Sequence, residues 1–231
     1  MEKYFFASLT RISDLADEGF TLAEVPRSDW ATGDYAVGRV TSRPGVLSRV
    51  ELRSGRMIEV VPGDLVVGAF GTRRATLEAV GDWEAIRDDN TFHVLTAAGL
   101  FGRITTQAPL IPPLVALDYV GHTVRTGDKL TKDQFRAKPP PAEFTLPTVL
   151  IIGTSMSAGK TTAAKRIVRR LKQLGLRVAG VKLTGAGRYR DVLAMWDAGA
   201  DVIYDFVDVG LPSTAVDPDE YRKRLLDLLS L

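Results

Sequence analysis

The hydrophobic and polar positions change rhythm once along the chain, at a proline-rich segment that reads KPPPAEFTLP over residues 138–147. Consecutive prolines cannot donate backbone hydrogen bonds and favour an extended, stiff chain. Short apolar runs precede the segment, and apolar residues at helical spacing follow it. The pattern therefore predicts two domains, residues 1–137 and 148–231, joined by a linker over 138–147.

The first of these regions has the pattern of a β-rich domain. Its apolar runs are short, rich in β-branched residues and separated by glycine-containing turns, which is typical of strands in a small barrel or sandwich. A helix over the first twenty residues is expected to pack on it. The predicted strands are Tyr35–Thr41, Val46–Leu52, Arg56–Val61, Leu65–Phe70, Phe92–Leu95, Leu100–Thr105 and Leu114–Val120.

The second region has the pattern of an α/β domain with a parallel sheet. Thr148–Ile152 is a continuous apolar run, as expected for a strand that is buried on both faces. Apolar residues then recur at helical spacing from Lys160 to Leu174, and Gly175 is a natural helix end. Further strands are predicted at 176–184 and 201–207, and helices at 191–198 and 218–231.

Three candidate strands are fewer than the five or six of an average sheet. We therefore expect the parallel sheet to be incomplete in this chain. Either the sequence is part of a longer protein, or a further chain completes the domain, and a homo-oligomer is the expected form. The apolar face of the last predicted helix, 218–231, would otherwise need a surface to cover it.

The stretch IIGTSMSAGKTT, residues 151–162, lies between the predicted buried strand and the first helix. Backbone N–H groups that precede a helix N-terminus, together with the helix dipole, favour a polyphosphate. In such loops the lysine reaches the outer phosphates and the next hydroxyl can bind Mg²⁺. The candidate nucleotide-binding residues are Gly153, Thr154, Ser157, Ala158, Gly159, Lys160, Thr161 and Thr162.

The sequence GTSMSAGKTT resembles the GT-x-x-x-x-GKT loop of dethiobiotin synthetase and related P-loop enzymes. A second stretch, AGVKLTGAG at residues 179–187, is similar to a strand and glycine-bearing loop of that family, in which a lysine supports substrate and phosphate. The resemblance covers residues 148–187 and implies an α/β P-loop fold. It also implies a catalytic role for Lys182 beside Lys160.

The function that follows is Mg-ATP binding that serves phosphoryl transfer or the ATP-dependent activation of a small carboxylate-type substrate. Lys160 would stabilise charge on the transferred phosphoryl group, and Thr161 would bind Mg²⁺. Asp208, at the end of a predicted strand, is the acidic candidate for the metal, with Asp205 as the other. The alternative is a non-catalytic, nucleotide-gated scaffold or a metallochaperone-type GTPase.

The amino-acid composition excludes several kinds of site and partner. The chain of 231 residues has no cysteine, which excludes disulfides and thiolate sites, and only two histidines. A net charge of +2 gives no reason to expect nucleic acid as the main partner. No apolar run is long enough to cross a membrane, so we expect a cytoplasmic protein whose partners are a nucleotide and a small substrate.

Overall fold

A computed structural model describes residues 3–41, 49–75, 77–154 and 158–231. It is 33% strand and 22% helix, and its largest sheet is a mixed sheet of ten strands. The predicted fold class, an α/β P-loop domain with a parallel sheet, is therefore wrong. The parallel pairing expected after the linker is confined to one short pair of strands.

The ten-stranded sheet is built from residues before the linker and closes on itself. β6 pairs with β3, β3 with β11, β11 with β9, β9 with β10, and β10 again with β6, so five strands form a ring. The strands of this region are β1 Tyr4–Phe6, β2 Thr21–Ala23, β3 Tyr35–Val40, β4 Arg49–Glu51, β5 Met57–Glu59, β6 Leu65–Phe70, β7 Arg73–Ala75, β8 Ala79–Asp82, β9 Thr91–Thr96, β10 Leu100–Gln107, β11 Ala116–Arg125 and β12 Asp128–Lys129. β4 and β5 form a separate hairpin.

Both faces of the central strand β6 are buried, which explains its continuous apolar sequence LVVGAF. Val66 and Phe70 belong to one core cluster, whereas Leu65 and Val67 belong to a second one on the opposite face. Period-two alternation along the strand produces this division. Gly68 has no side chain because a Cβ there would collide with the carbonyl oxygen of Gly99.

The region after the linker has a small core of its own and also contributes to the second cluster of the sheet. Phe206, Val207 and Leu211 pack in that cluster with Leu9 and other buried residues. The small core lies between helices and the two strands β13 and β14, which pair in parallel. The remaining elements are α1 Leu15–Glu18, α2 Lys132–Phe135, α3 Lys160–Gln173, β13 Ala179–Lys182, α4 Arg190–Trp196, β14 Val202–Asp205 and α5 Pro218–Leu229.

The predicted buried strand Thr148–Ile152 is wrong, because residues 148–152 form no strand and, apart from the half-buried Ile151, their apolar side chains are exposed. The exposed fractions of Val149, Leu150 and Ile152 are 61%, 65% and 82%. The physical reason is the lack of a partner, since β13 and β14 pair only with each other among the described residues. Apolar composition alone did not supply the hydrogen-bonding neighbours that a strand needs.

The predicted helix over the first twenty residues is also wrong. β1 occupies Tyr4–Phe6 and pairs in parallel with β6, and a short 3₁₀ turn covers Ser8–Thr10. Among the residues described in this stretch, 3–20, only Leu15–Glu18 is α-helical. The part of the predicted strand Val46–Leu52 that precedes Arg49 lies outside the described residues. In the part of the chain that the structure describes, no helix is both long and apolar enough to cross a membrane.

Candidate functional site

The glycine-lysine sequence lies at the N-terminus of the longest helix in the structure. Gly159 has a left-handed backbone, with φ 85° and ψ 8°, and α3 begins at the next residue, Lys160. Glycine adopts this conformation without the steric cost that a side chain would bring. The first N–H groups of a helix have no partner within it, and no acidic residue lies in the first turn of α3 to offset their positive potential.

The loop brings Gly153, Ala158 and Lys160 close together. A Cβ added to Gly153 would lie 3.1 Å from Cγ of Lys160, 3.2 Å from its Cδ and 3.3 Å from Cβ of Ala158. The stem of Lys160 therefore crosses directly over Gly153, where only a glycine fits without displacing it. The side chain of Lys160 therefore lies against Gly153, at the start of the loop that precedes α3.

The other predicted binding residues of this loop are open to solvent. Thr154, Thr161 and Thr162 are exposed, whereas Lys160 is half-buried. Thr161 and Thr162 lie in the first turn of α3. Ser157, which was also predicted to bind, lies outside the described residues.

Lys182 lies within the strand predicted at 176–184 and is the last residue of the shorter strand β13, and it is engaged within the protein. Its Nζ donates to Oδ2 of Asp191 at 2.6 Å and to the carbonyl oxygen of Ala186 at 2.8 Å. The side chain is 16% exposed. These bonds hold the loop between β13 and α4 and use two of the three N–H donors of Lys182.

Asp208 follows β14, and its carboxylate is also engaged. Its Oδ2 accepts from the backbone N–H of Asp205 at 2.7 Å, and its Oδ1 lies 3.3 Å from Nη2 of Arg11. Burial is the main cause that raises the pKa of Asp208 above its ordinary value. Among the described residues, no group of three or more acidic or histidine side chains is placed to hold a metal ion.

Arg11, which the sequence did not single out, forms the centre of a buried polar cluster with Asp205, Asp208 and Lys132. Arg11 forms a salt bridge to Asp205, whose side chain is fully buried. Lys132 is fully buried as well, and its Nζ donates to the carbonyl oxygen of Leu9 at 2.9 Å. Burial lowers the pKa of Lys132 to about 7, with the charge of Arg11 as a further cause. Arg11 and Asp205 are 194 positions apart in the sequence, and no pattern of residue spacing predicts such a pair.

Glu51, on β4, is another residue that sequence reasoning missed. Its Oε2 accepts from the hydroxyl of Ser8 at 2.6 Å and from the N–H of Tyr189 at 2.7 Å, and its Oε1 accepts from the N–H of Arg190 at 3.1 Å. A carboxylate in this place satisfies free N–H groups at the start of α4 and complements the helix dipole. Glu51 thereby joins the strand region to the helix that follows the Lys182 loop.

Searches against protein-family models, curated proteins and solved structures gave no match. The functional argument therefore depends on the residues and their geometry. The arrangement of Gly153, Gly159 and Lys160 suits a multiply charged anion, because it joins a cationic side chain, the N-terminus of a helix and exposed hydroxyls.

Proposed function

We propose that the chain binds Mg-ATP at the loop that ends in Gly159–Lys160–Thr161, as a step toward phosphoryl transfer or the activation of a small carboxylate substrate. The observation that carries the proposal is the passage of Lys160 over Gly153 at the start of α3. Left-handed Gly159 and a first turn without acidic residues support it. Each feature favours phosphate oxygens over a cationic or neutral ligand.

The roles of the residues follow from their places. The N–H groups from Gly159 to Thr162 cradle the phosphates, and Lys160 neutralises the outermost one. The exposed hydroxyl of Thr161 would complete the coordination of Mg²⁺, which keeps several waters and binds few protein ligands. Asp208 would reach the metal only after leaving Arg11, since Nη2 of Arg11 lies 3.3 Å from its carboxylate.

A second candidate function is a nucleotide-gated interaction without rapid turnover. It is favoured by the internal engagement of the two residues that catalysis would need, Lys182 with Asp191 and Asp208 with Arg11. Phosphoryl transfer depends mainly on positioning and charge stabilisation. Side chains that are bound elsewhere provide neither, and their engagement supports binding without rapid turnover.

Nucleotide binding is tested by isothermal titration calorimetry with Mg-ATP and Mg-GTP on the full chain. We expect Lys160→Ala to weaken binding of the preferred nucleotide at least tenfold, a loss of about 1.4 kcal/mol. Lys165→Ala is the matched control, because it removes the same charge from an exposed position on the same helix. Equal affinities of the two variants would refute a phosphate-binding role for Lys160.

A phosphate-release assay then separates the two candidate functions. Turnover of about 1 per second or faster, lost in Lys160→Ala, would support the catalytic function. Tight binding with much slower turnover would support the nucleotide-gated function. Asp191→Asn, which weakens the hold on Lys182, should raise turnover only if Lys182 takes part in the chemistry.

A further inference from the structure

The charges of the chain are distributed unevenly, with a block of cations after the linker. Residues 144–190 contain ten lysines and arginines and no aspartate or glutamate. The whole chain has a net charge of only +2, so the other residues together carry −8. A block of one sign creates a strong local field even where the net charge is small. The partner that this field attracts is an anion.

Four of these cations lie on the exposed side of α3. Val168 is buried in the small core and Ala164 packs against the same core, which fixes the side of the helix that faces the protein. At about 100° per residue, the four cations occupy an arc of about 140° on the other side. They are Lys165, Arg166, Arg169 and Arg170, and all four are exposed.

The cations of α3 have no acidic neighbour on their own helix, in contrast to those of α5. In α5, Arg222 pairs with Asp219 at 2.9 Å, and Arg224 pairs with Glu220 at 2.6 Å. The sequence of α3, KTTAAKRIVRRLKQ, contains no acid. Like charges three or four positions apart on a helix repel each other. An anionic partner relieves this repulsion on α3, whereas the cations of α5 are already paired.

Apolar side chains are exposed just before and just after this basic helix. Ile152 before it, and Leu174 and Leu176 after it, are all at least half exposed. Gly153, which follows Ile152, lies against the stem of Lys160, so the first apolar group reaches the start of α3. The helix has 14 residues and is therefore about 21 Å long. The exposed surface thus has apolar residues at both ends of a basic helix face.

The partner of this surface must satisfy both the cations and the apolar side chains. Nucleic acid would neutralise the cations but leave the apolar side chains in water, and residues 145–188 contain no aromatic side chain on which a base could stack. A second copy of the chain would bring its own cations against these. An anionic phospholipid membrane meets both needs, because its headgroups attract lysine and arginine and its interface accepts apolar side chains.

We propose that α3 and the apolar residues at its two ends dock on the surface of an anionic phospholipid membrane, with the helix axis parallel to the membrane plane. The four cations of the exposed arc lie against the lipid phosphates. Ile152, Leu174 and Leu176 enter the boundary between headgroups and acyl chains, as the apolar face of an interfacial helix does. The proposal is independent of nucleotide binding, and none of these residues belongs to the proposed nucleotide site.

The test is sedimentation of the full chain with vesicles of phosphatidylcholine alone, or of phosphatidylcholine with about one third phosphatidylglycerol. We expect the anionic vesicles to bind the chain at least tenfold more tightly. Because salt screens the attraction, raising the ionic strength from about 0.1 M to about 1 M should release most of the bound chain. Equal binding to the two kinds of vesicle, or no binding to the anionic kind at about 1 mM lipid, would overturn the proposal.

Charge variants assign the binding to α3. Arg166→Gln combined with Arg169→Gln keeps good helix formers at exposed positions and should weaken binding to anionic vesicles about 25-fold, since each cation near such a surface contributes about fivefold. The matched control is Arg222→Gln combined with Lys223→Gln, which removes two exposed cations from α5 and should weaken binding by less than about threefold. Equal losses in the two double variants would overturn the assignment to α3.

An apolar variant separates a membrane from other polyanions. Ile152→Ser should weaken binding to anionic vesicles at least threefold, whereas Leu110→Ser, at a residue that is 96% exposed in the region before the linker, should not. Unchanged vesicle binding in Ile152→Ser would overturn the proposal. Tight binding of a single-stranded oligonucleotide to the same variant, measured by fluorescence anisotropy, would then assign the surface to nucleic acid.

Discussion

Two apolar runs of similar composition differ in their exposure to solvent in this chain. Leu65–Phe70 is buried at every residue, whereas the apolar side chains of the run at 148–152 are largely exposed, by 61% at Val149 and 82% at Ile152. Both runs are rich in valine, leucine or isoleucine, and both fit the pattern of a buried strand. Their difference lies in the neighbours that the fold provides.

β6 has strands beside it and side chains over both of its faces. It pairs with β1, β3 and β10, and residues from both core clusters cover it. The run at 148–152 has no strand partner within the described part of the chain. An apolar run is thus necessary but insufficient for a buried strand, because the backbone must also find hydrogen-bond partners.

The largest expected effect comes from the same substitution on the two sides of this comparison. Leu65→Ala, at a buried residue of β6, should reduce the free energy of unfolding by about 2–5 kcal/mol through lost burial and a cavity. Leu150→Ala, at a residue that is 65% exposed, should change it by less than about 0.5 kcal/mol. Urea denaturation followed by circular dichroism measures both. Similar losses in the two variants would show that Leu150 is covered in solution.

Local periodicity predicted individual elements better than it predicted the fold. The helix expected at 160–174 is α3, Lys160–Gln173, and the strand expected at Leu65–Phe70 is β6. Both signals are local, since they need only the spacing of apolar residues. The fold class failed because it assumed that the run at 148–152 joins a sheet, which depends on contacts far away in sequence.

The second prediction concerns the buried cluster that joins the two regions. The pKa of Lys132 is about 7 in the folded protein, against 10.5 for an ordinary lysine, because burial disfavours its charge. The unfolded chain therefore binds more protons between these values, so stability rises with pH from about 7 toward 10.5. Each pKa unit corresponds to about 1.4 kcal/mol, which makes the full rise a few kcal/mol.

The measurement is the free energy of unfolding at several values from pH 7 to 9.5. Lys132→Met should flatten the rise and stabilise the protein at pH 7, whereas Lys165→Met, at an exposed position, should do neither. The range ends at 9.5 because burial raises the pKa of Tyr35, and the unfolded tyrosine ionises first above about pH 10. A wild-type curve that is flat over this range contradicts the burial of a neutral lysine.

The third prediction tests the link between β4 and α4. Glu51→Gln keeps the size of the side chain but removes its negative charge. The carboxylate oxygens of Glu51 accept hydrogen bonds from the hydroxyl of Ser8 and the N–H groups of Tyr189 and Arg190. Hydrogen bonds to a charged group contribute about 1.5–3 kcal/mol, and the amide retains part of them, so we expect a loss of about 1–2 kcal/mol. Glu59→Gln, at an exposed residue of β5, is the control. Thermal unfolding that is equal in the two variants would argue against a bridging role for Glu51.

The candidate sites differ in whether their residues are contiguous in the sequence, and this decides which of them the sequence can predict. The glycine-lysine loop was found because its residues are contiguous and its chemistry follows from their order. Arg11 beside Asp205 could not be found, because the pair depends on the path of the chain between them.

The smallest expected change in stability comes from Gly153→Ala, in the exposed region. The new Cβ would lie 3.1–3.3 Å from Lys160 and Ala158, so the lysine stem must shift by a few tenths of an ångström. An exposed loop can absorb such a shift, and we expect the free energy of unfolding to change by less than about 0.5 kcal/mol.

The position of Lys160 is nevertheless disturbed, and the strength of a charged hydrogen bond falls steeply as the distance between Lys160 and a bound phosphate grows. We therefore expect Mg-ATP affinity to fall about three- to tenfold, while Val149→Ala, in the same exposed segment, leaves it unchanged. Calorimetric titration of the two variants, with urea denaturation alongside, separates binding from folding. Wild-type affinity in Gly153→Ala would mean that the contact between Gly153 and Lys160 does not prepare the loop for a nucleotide.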